Sequence, residues 1–234
     1  MQKLRLDVWS DIACPWCYIG KRHLEAALKD FEHKDQVEVV WRAFELDPTA
    51  PKQRTDVTSN VARLASKYGV SEEQARAMMA RVIHAGTAAG LDLKLYDSKS
   101  GNTFDAHRLL HWALEHGKQD ALKERMMRAY QTEGQVIADP DVLVACAKDA
   151  GLPEEDARAV LSSDRYAADV RADESLAKEL GISGVPFFVL AQKIGVSGAQ
   201  PVETMKMVLD KAWAELPKIE TVVEGATCGP DGCD

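Results

Sequence analysis

The pattern of apolar and polar residues at the beginning of the chain predicts a strand, a helix and a second strand. Apolar and polar residues alternate through 3–10, which is the period of a strand. Over 15–31 the apolar residues recur at helical spacing. The segment 36–46 is rich in β-branched and aromatic residues, which favour a strand. This order is the beginning of a βαβ unit.

A long run of predicted helices follows the proline-containing turn at 47–51. Capping residues or prolines mark the helix starts, because they satisfy or tolerate the unpaired backbone groups of a first turn. These starts are Ser71 with Gln74, Asn102 or Thr103 before 104–115, Asp139-Pro140, and Pro153. The last helix of the run spans 164–180 and ends before Gly181. The run is an α-helical insertion of roughly a hundred residues, which is a typical domain size.

Strand patterns return after the insertion, at 185–190 and 193–196, and a final helix is predicted over 202–216. The predicted fold class is therefore α/β with an inserted α-helical domain. The predicted domains are a discontinuous α/β domain of 1–50 and 165–216, a helical insertion of 51–164, and a flexible C-terminal tail of 217–234 with a Cys-x4-Cys pair.

Composition and charge indicate a soluble protein that does not bind nucleic acid or membranes. Of the 234 residues, 46% are hydrophobic and 28% are charged, and the formal net charge of -8 leaves no basic stripe to neutralise phosphates. The first residues lack the apolar run of a secretion signal, and no segment is apolar enough to span a bilayer. A cytoplasmic location is predicted, in which paired cysteines are usually catalytic, redox-sensing or metal-binding.

The motif Cys14-Pro15-Trp16-Cys17 lies where the first predicted strand gives way to the first predicted helix. Thiol–disulfide exchange requires a thiolate that attacks and a second thiol that releases the mixed disulfide. The free N–H groups and the dipole at a helix start stabilise an anion, so Cys14 is predicted to be the exposed attacking sulfur. Cys17 is predicted to resolve from one turn deeper, with Pro15 in the first turn. Trp16 is either an exposed recognition residue or a shield of Cys17.

Two other interpretations of this cysteine pair have weaker support. One is a pair of packing residues, as we expect for Cys146 in its apolar helix. The other is half of a zinc site, which would need two further ligands at suitable spacing. No second cysteine pair follows at zinc-ribbon spacing, and the pair His107 and His111 lacks a nearby third ligand. The sequence therefore predicts redox chemistry and no metal site.

A proline opens the strand that is predicted over 185–190. Proline is tolerated at a strand end or where the chain turns in a special geometry. Pro186 is therefore either a loop terminator or the site of a cis peptide with Val185. The second interpretation places the backbone of Val185 beside Cys14, where it is available to pair with an extended substrate chain.

Taken together, the motifs resemble those of the DsbA-type thiol–disulfide oxidoreductases, specifically the FrnE-like branch. The matching segments are 10–21 around the cysteine motif, Asn102-Thr103-Phe104-Asp105-Ala106-His107-Arg108-Leu109, Gly184-Val185-Pro186-Phe187-Phe188-Val189, and Ser197-Gly198-Ala199-Gln200-Pro201. The resemblance implies a thioredoxin fold with an inserted helical domain, a cis peptide before Pro186, and disulfide exchange at Cys14 and Cys17. It also implies protein substrates with thiols or disulfides, a glutathione or thioredoxin-like recycling partner, and no required cofactor.

Kappa-class glutathione transferases and 2-hydroxychromene-2-carboxylate isomerases are similar over the same length and supply the alternative function. Those enzymes typically carry a serine where this chain has Cys14, and they stabilise bound glutathione thiolate without forming a disulfide. The presence of both Cys14 and Cys17 favours redox chemistry. Asn102, His107 and Arg108 lie in a motif that both groups share, which makes them candidates for a thiol or peptide pocket.

Near the end of the chain, Cys228 and Cys233 enclose the turn-forming sequence Gly229-Pro230-Asp231-Gly232. Such a turn is able to bring two sulfurs within bonding distance. One hypothesis is a second redox pair that relays electrons to or from Cys14 and Cys17, with a flexible tail raising the local concentration. The other is an idle tail.

Overall fold

A mixed sheet and nine helices form the part of the chain that the computed structural model describes, which is 3–52, 58–99, 101–217, 228–229 and 232–233. The elements before the helical block are β1 (Leu4–Ser10), α1 (Pro15–Lys29) and β2 (Val37–Ala43). The block contains α2 (Asn60–Tyr68), α3 (Glu72–Ala88), α4 (Phe104–Glu115), α5 (Gln119–Gln131), α6 (Pro140–Asp149), α7 (Glu154–Leu161) and α8 (Ala167–Glu179). The remaining elements are β3 (Phe187–Leu190), β4 (Ile194–Ser197), α9 (Val202–Ala214), and the short pair β5 (Cys228–Gly229) and β6 (Gly232–Cys233).

The main sheet has the strand order β2-β1-β3-β4. Strands β1 and β2 are parallel, with Val8 opposite Trp41, and the β1–β3 and β3–β4 pairs are antiparallel. Strand β1 is central, and its residues after Arg5 are all buried. Even Asp7 is 5% exposed, and its carboxylate is satisfied by Arg5 at 3.0 Å and Arg42 at 2.8 Å. The carboxyl end of this central strand leads directly into the cysteine motif.

Three large apolar clusters and a smaller one around Trp9, Ala177 and Ile182 hold the described elements together. One cluster packs α1 and α9 against the sheet through side chains such as Leu24, Phe188 and Leu209. A second joins α4 to α5, α6 and α7 around Trp112. The third surrounds the two motif cysteines and is filled from the helical block. The cysteine motif thus lies where the sheet and the helical block meet.

The predicted elements agree with the observed ones within a few residues. Ser71 and Gln74 form the predicted capping box of α3, and the Asp139 side chain caps α6. The strand predicted over 185–190 begins only at Phe187, after the proline. The domain limits stay predictions. None of the helices in the described ranges is both long and apolar enough to cross a membrane.

Candidate active site

The cysteine motif occupies the turn from β1 into α1. Cys14 is the N-cap of α1, with φ -87° and ψ 113°, and no side chain caps this helix end. Pro15 takes the first helical position, where its missing N–H costs nothing. The Cys17 N–H donates to the Cys14 carbonyl oxygen at 3.1 Å. Cys14 therefore lies at the positive end of the helix dipole, next to backbone N–H groups that have no partner within the helix.

Cys14 and Cys17 are free thiols in this structure, and both are buried. Cys17 is fully buried, as predicted, but Cys14 is only 4% exposed, so the prediction of an exposed sulfur is wrong. The reason is tertiary. Apolar side chains from α2, α3 and the segment after α3 cover the motif, among them Val61, Met79 and Leu93.

The environment of Cys17 opposes its ionisation. Burial raises the pKa of the Cys17 thiol well above its ordinary value, and a hydrogen bond between the two motif thiols acts in the same direction. Lys123 works against this rise. Cys17 is therefore a protonated thiol at rest. Across the described ranges, no group of three or more His, Cys, Asp and Glu side chains is arranged to hold a metal ion.

The loop before β3 faces Cys14 from the other side. The Val185–Pro186 peptide is cis, as the second interpretation of that proline predicts, whereas pairing of the Val185 backbone with a substrate chain stays a prediction. The Cys14 thiol points at the Val185 carbonyl oxygen, with a distance of 3.6 Å from Sγ. Gly20 of α1 allows this close approach, because a Cβ atom there would lie 3.0 Å from the Pro186 ring. Gly20 was not predicted as a site residue. The sequence indication was a glycine inside a predicted helix, which often marks a close contact with another part of the chain.

Trp16 lies at the surface of the motif and is 42% exposed. Its neighbour Pro15 is half-buried. The ring of Trp16 thus lies in the position of an exposed recognition residue, one of its two predicted roles. Cys17 is shielded instead by the apolar cluster that also contains Met127 of α5.

Asp11, in the turn before the motif, forms a buried polar contact with the helical block. Its carboxylate accepts from the Leu46 N–H at 2.8 Å, and its Oδ1 lies 3.5 Å from Nε2 of His107. Burial lowers the pKa of His107. Burial works to raise the pKa of Asp11, but the hydrogen bond and charge of His107 hold it below its ordinary value. A neutral histidine beside a carboxylate therefore supports the turn.

Of the candidate pocket residues Asn102, His107 and Arg108, the last two are buried, so their predicted place in an accessible pocket is wrong, whereas Asn102 is half-buried and its role stays a prediction. His107 and Arg108 are 1% and 3% exposed. All three guanidinium nitrogens of Arg108 are bonded, to Asp105 and to backbone carbonyls of the α7–α8 connection. The Asn102 side chain accepts from the Phe104 N–H at 2.9 Å, where it helps to begin α4. Arg108 thus ties α4 to α7 and the segment after it, and His107 faces Asp11 in the turn before the cysteines.

Helix α5 supplies two buried polar residues that the sequence analysis did not identify. The Gln131 amide donates to the carbonyl oxygens of Ile12 at 2.8 Å and Cys14 at 3.2 Å. Lys123 is fully buried and donates to the Ser10 carbonyl oxygen at 3.3 Å. The sequence did offer one indication of Lys123, because it follows Leu122 in the apolar stripe of a predicted helix. Lysine is rarely buried in such a position unless it has a specific partner.

The second cysteine pair lies at the limit of the described residues. The backbones of Cys228 and Cys233 are paired across the antiparallel strands β5 and β6. Their side chains lie outside the described residues, as does most of the predicted tail.

Comparison with known proteins places this site in a family. The model of the DSBA-like thioredoxin domain matches residues 5–210. The crystal structure of a probable DsbA oxidoreductase from Streptomyces coelicolor is 46% identical, with a TM-score of 0.87 and coverage of 99% of this chain and 98% of that one. The protein YwbO of Bacillus subtilis is 28% identical over 205 residues, which is 86% of this chain and 94% of YwbO.

A more distant structure shares the fold alone. The cytosolic disulfide reductase DsbM from Pseudomonas aeruginosa is 18% identical, with a TM-score of 0.62 over 90% of this chain and 98% of that one. The family model covers the sheet, the cysteine motif, the cis proline and the helical block together. The thioredoxin fold with a helical insertion is thereby confirmed, and this chain belongs to the DsbA-like thioredoxin domain family.

Proposed function

We propose that the protein is a thiol–disulfide oxidoreductase in which Cys14 attacks and Cys17 resolves. The observation that carries the proposal is the placement of two free, hydrogen-bonded thiols at the start of α1, one at the N-cap and one buried a turn inside. The helix terminus offers N–H groups and a dipole to a Cys14 thiolate. Cys17 lies within reach of the Cys14 sulfur.

The exchange proceeds in two displacement steps. In the reducing direction, the Cys14 thiolate attacks one sulfur of a substrate disulfide, and the other substrate sulfur leaves as a thiolate. The Cys17 sulfur, after losing its proton, attacks the Cys14 sulfur of the resulting mixed disulfide. The second substrate thiolate leaves and a Cys14–Cys17 disulfide forms, so two electrons pass from the protein to the substrate. The oxidising direction is the reverse.

Protein disulfides are the proposed substrates. An extended chain is able to approach past the exposed Trp16 ring and the loop before the cis proline, in which Ser183 and Gly184 are exposed and Val185 is half-buried. A recycling partner of glutathione or thioredoxin-like type completes the cycle, and no other cofactor is needed for the two steps above.

The test is the Cys14→Ser variant in reduction of insulin and in refolding of scrambled ribonuclease. We expect the catalysed rate to fall to the uncatalysed rate, because no thiolate remains to attack. Cys146→Ala is the matched control, since it removes a buried thiol from the helical block and leaves the motif intact. Full activity of Cys14→Ser would contradict the proposal.

A glutathione-dependent transferase or isomerase is the second candidate, and the burial of Cys14 favours it. With 4% exposure, Cys14 is more accessible to a small thiol than to a folded protein. The two functions differ in their need for Cys17. Glutathione conjugation of an aromatic electrophile would survive Cys17→Ser, whereas disulfide exchange would stop at a trapped mixed disulfide.

The tail cysteines belong to this proposal as a second redox pair. Backbone pairing of Cys228 with Cys233 supports it, because directly opposed residues of an antiparallel pair lie within the Cα separation that a disulfide requires. The double variant Cys228→Ser, Cys233→Ser should recycle more slowly than the parent in coupled turnover. An unchanged turnover rate would remove the role.

A further inference from the structure

Lys123 of α5 is a buried cation without an ion-pair partner. Its side chain is fully buried, its Nζ lies 5.7 Å from the centre of the Trp41 ring, and it donates only to the Ser10 carbonyl oxygen. No carboxylate oxygen among the described residues lies within 4.0 Å of this Nζ. Burying a charge without a partner is costly, so a lysine at this position needs a compensating interaction.

Lys21 shows what a buried lysine usually requires. It is 1% exposed and lies 5.9 Å from the centre of the same Trp41 ring. Its Nζ contacts carboxylates of Glu25, Asp120 and Glu124, the last two at 3.2 Å. The charge of Lys21 is thus balanced by adjacent carboxylates. The charge of Lys123 has no such partner among the described residues and is available to stabilise a nearby anion.

The groups that face Lys123 are the motif and its support. The Lys123 Nζ donates to the Ser10 carbonyl oxygen at the end of β1, Met127 one turn further along α5 shares the apolar cluster of Cys17, and Gln131 a turn beyond donates to the Cys14 carbonyl oxygen. The charges that act on Lys123 are those of Asp11 from the turn after β1, Cys14, Cys17 and Lys21 from α1, and His107 from α4. Burial lowers the pKa of Lys123 to about 8, and its strongest attraction is to a charge on Cys17, followed by Asp11 and Cys14. The neutral amine is therefore accessible near neutral pH, and the ammonium form is stabilised when a thiolate appears.

We propose that Lys123 accepts the proton of Cys17 when Cys17 resolves the mixed disulfide, and returns it when Cys17 is the leaving group. This inference rests on the proposed disulfide exchange. In the resolving step, the Cys17 S–H proton passes to the Lys123 amine, and the Cys17 sulfur forms a bond to Cys14. The bond from Cys14 to the substrate sulfur breaks, and the substrate leaves as a thiolate.

The charge balance of the site explains why such a partner is useful. A Cys17 thiolate alone would be an uncompensated anion in an apolar cluster with Ile19 and Met127. Proton transfer to Lys123 creates an ammonium and a thiolate together, so the net charge of the buried site does not change. The helical insertion thereby contributes a chemical group to the reaction as well as a cover.

The test uses oxidised glutathione as the disulfide and follows both steps by acid quenching and mass spectrometry. In Lys123→Met we expect mixed-disulfide formation at Cys14 to proceed as in the parent. We expect the resolving step to slow by about tenfold or more, since an opposite charge near a thiol typically shifts its pKa by one unit or more. The mixed disulfide should therefore accumulate.

The pH profile separates a proton acceptor from a packing residue. The parent resolving rate should rise with pH and level off near the pKa of Lys123, about 8. The Lys123→Met rate should continue to rise in proportion to hydroxide, because Cys17 then titrates alone. This profile of the parent needs no variant, so it tests the inference even if Lys123→Met does not fold.

Met126→Ala is the matched control for loss of packing. It removes a buried apolar side chain from the same helix and keeps Lys123. The ratio of the rates of mixed-disulfide formation and resolution should therefore equal that of the parent. If Lys123→Met resolved the mixed disulfide as fast as the parent, or if the parent rate did not level off with pH, the role of Lys123 would be overturned. The proposed disulfide exchange would not be affected by either result. Absence of any mixed disulfide in Cys17→Ser, in which it is not resolved, would overturn the proposed exchange, and this inference with it.

Discussion

At the scale of single residues, His107 links the stability of the active-site turn to pH. Burial lowers its pKa below the ordinary 6.5, while the Asp11 carboxylate acts in the opposite direction. The folded protein therefore binds this proton less readily than the unfolded chain does. The stabilising effect is fully present above pH 6.5 and is lost as pH falls below that value towards the folded pKa.

We predict that, in His107→Gln, the free energy of unfolding falls less steeply with decreasing pH than in the parent. The glutamine amide is able to face Asp11 in place of Nε2, which lies 3.5 Å from Oδ1, but it does not titrate, so the loss of unfolding free energy between pH 6.5 and lower values should be reduced. One proton contributes at most about 1.4 kcal/mol per pH unit. Urea unfolding at several pH values measures the difference. Parallel profiles for variant and parent would show that His107 is not the group responsible.

At the scale of elements, α2 and α3 form the cover over Cys14. Val61 and Ala65 of α2 and Ala75 and Met79 of α3 share one apolar cluster with the motif cysteines. A buried attacking thiol reacts only as fast as its cover opens or admits a reagent. The access of substrate is thus set by the packing of the insertion and not by the motif itself.

Met79→Ala should loosen this cover and speed alkylation of Cys14 by iodoacetamide. A weakening of local packing by about 1.4 kcal/mol raises the open population about tenfold, and the usual cost of a core Met→Ala change, about 2–5 kcal/mol, exceeds that amount. Met78→Ala is the matched control, because Met78 is only half-buried and lines a surface groove with Val70 and Gln74. Peptide mapping of the alkylated cysteine gives the rate, and equal rates for the two variants would contradict the role of the cover.

Local patterns predicted the elements and the reactive pair, because these depend on neighbours in sequence. The strand period, the helix caps and the Cys14 and Cys17 spacing are all local signals. The predicted exposure of Cys14 was wrong because α2 and α3, which are distant in sequence, pack with the motif. Lys123 was missed because its contact with the end of β1 also joins residues that are far apart in sequence. Arg108 was misassigned for the same reason. A shared motif does not show whether its charged member faces solvent or backbone carbonyls.

At the scale of the whole molecule, the helical block completes the edge of the sheet. Strand β2 is an edge strand of the main sheet, so the outward N–H and C=O groups of its backbone need partners. The Gln119 side chain accepts from the Trp41 N–H and donates to the Trp41 carbonyl oxygen, both at 2.9 Å. The Asp173 carboxylate accepts from the Ala43 N–H at 2.9 Å. The helical block, through α5 and α8, therefore replaces a missing neighbouring strand.

This arrangement predicts that the sheet and the helical block unfold together. Gln119→Ala leaves a buried N–H and a buried carbonyl unpaired, so the free energy of unfolding should fall by about 1–3 kcal/mol or more. Tryptophan fluorescence and far-ultraviolet circular dichroism should still give one coincident transition in urea, because Asp173, Lys123 and Gln131 continue to join the two parts. Gln74→Ala, at an exposed cap of α3, controls for loss of a glutamine and should cost less. Separate transitions for the two signals would mean that the insertion folds independently, and that its contacts with β2 and the motif do not couple the two parts.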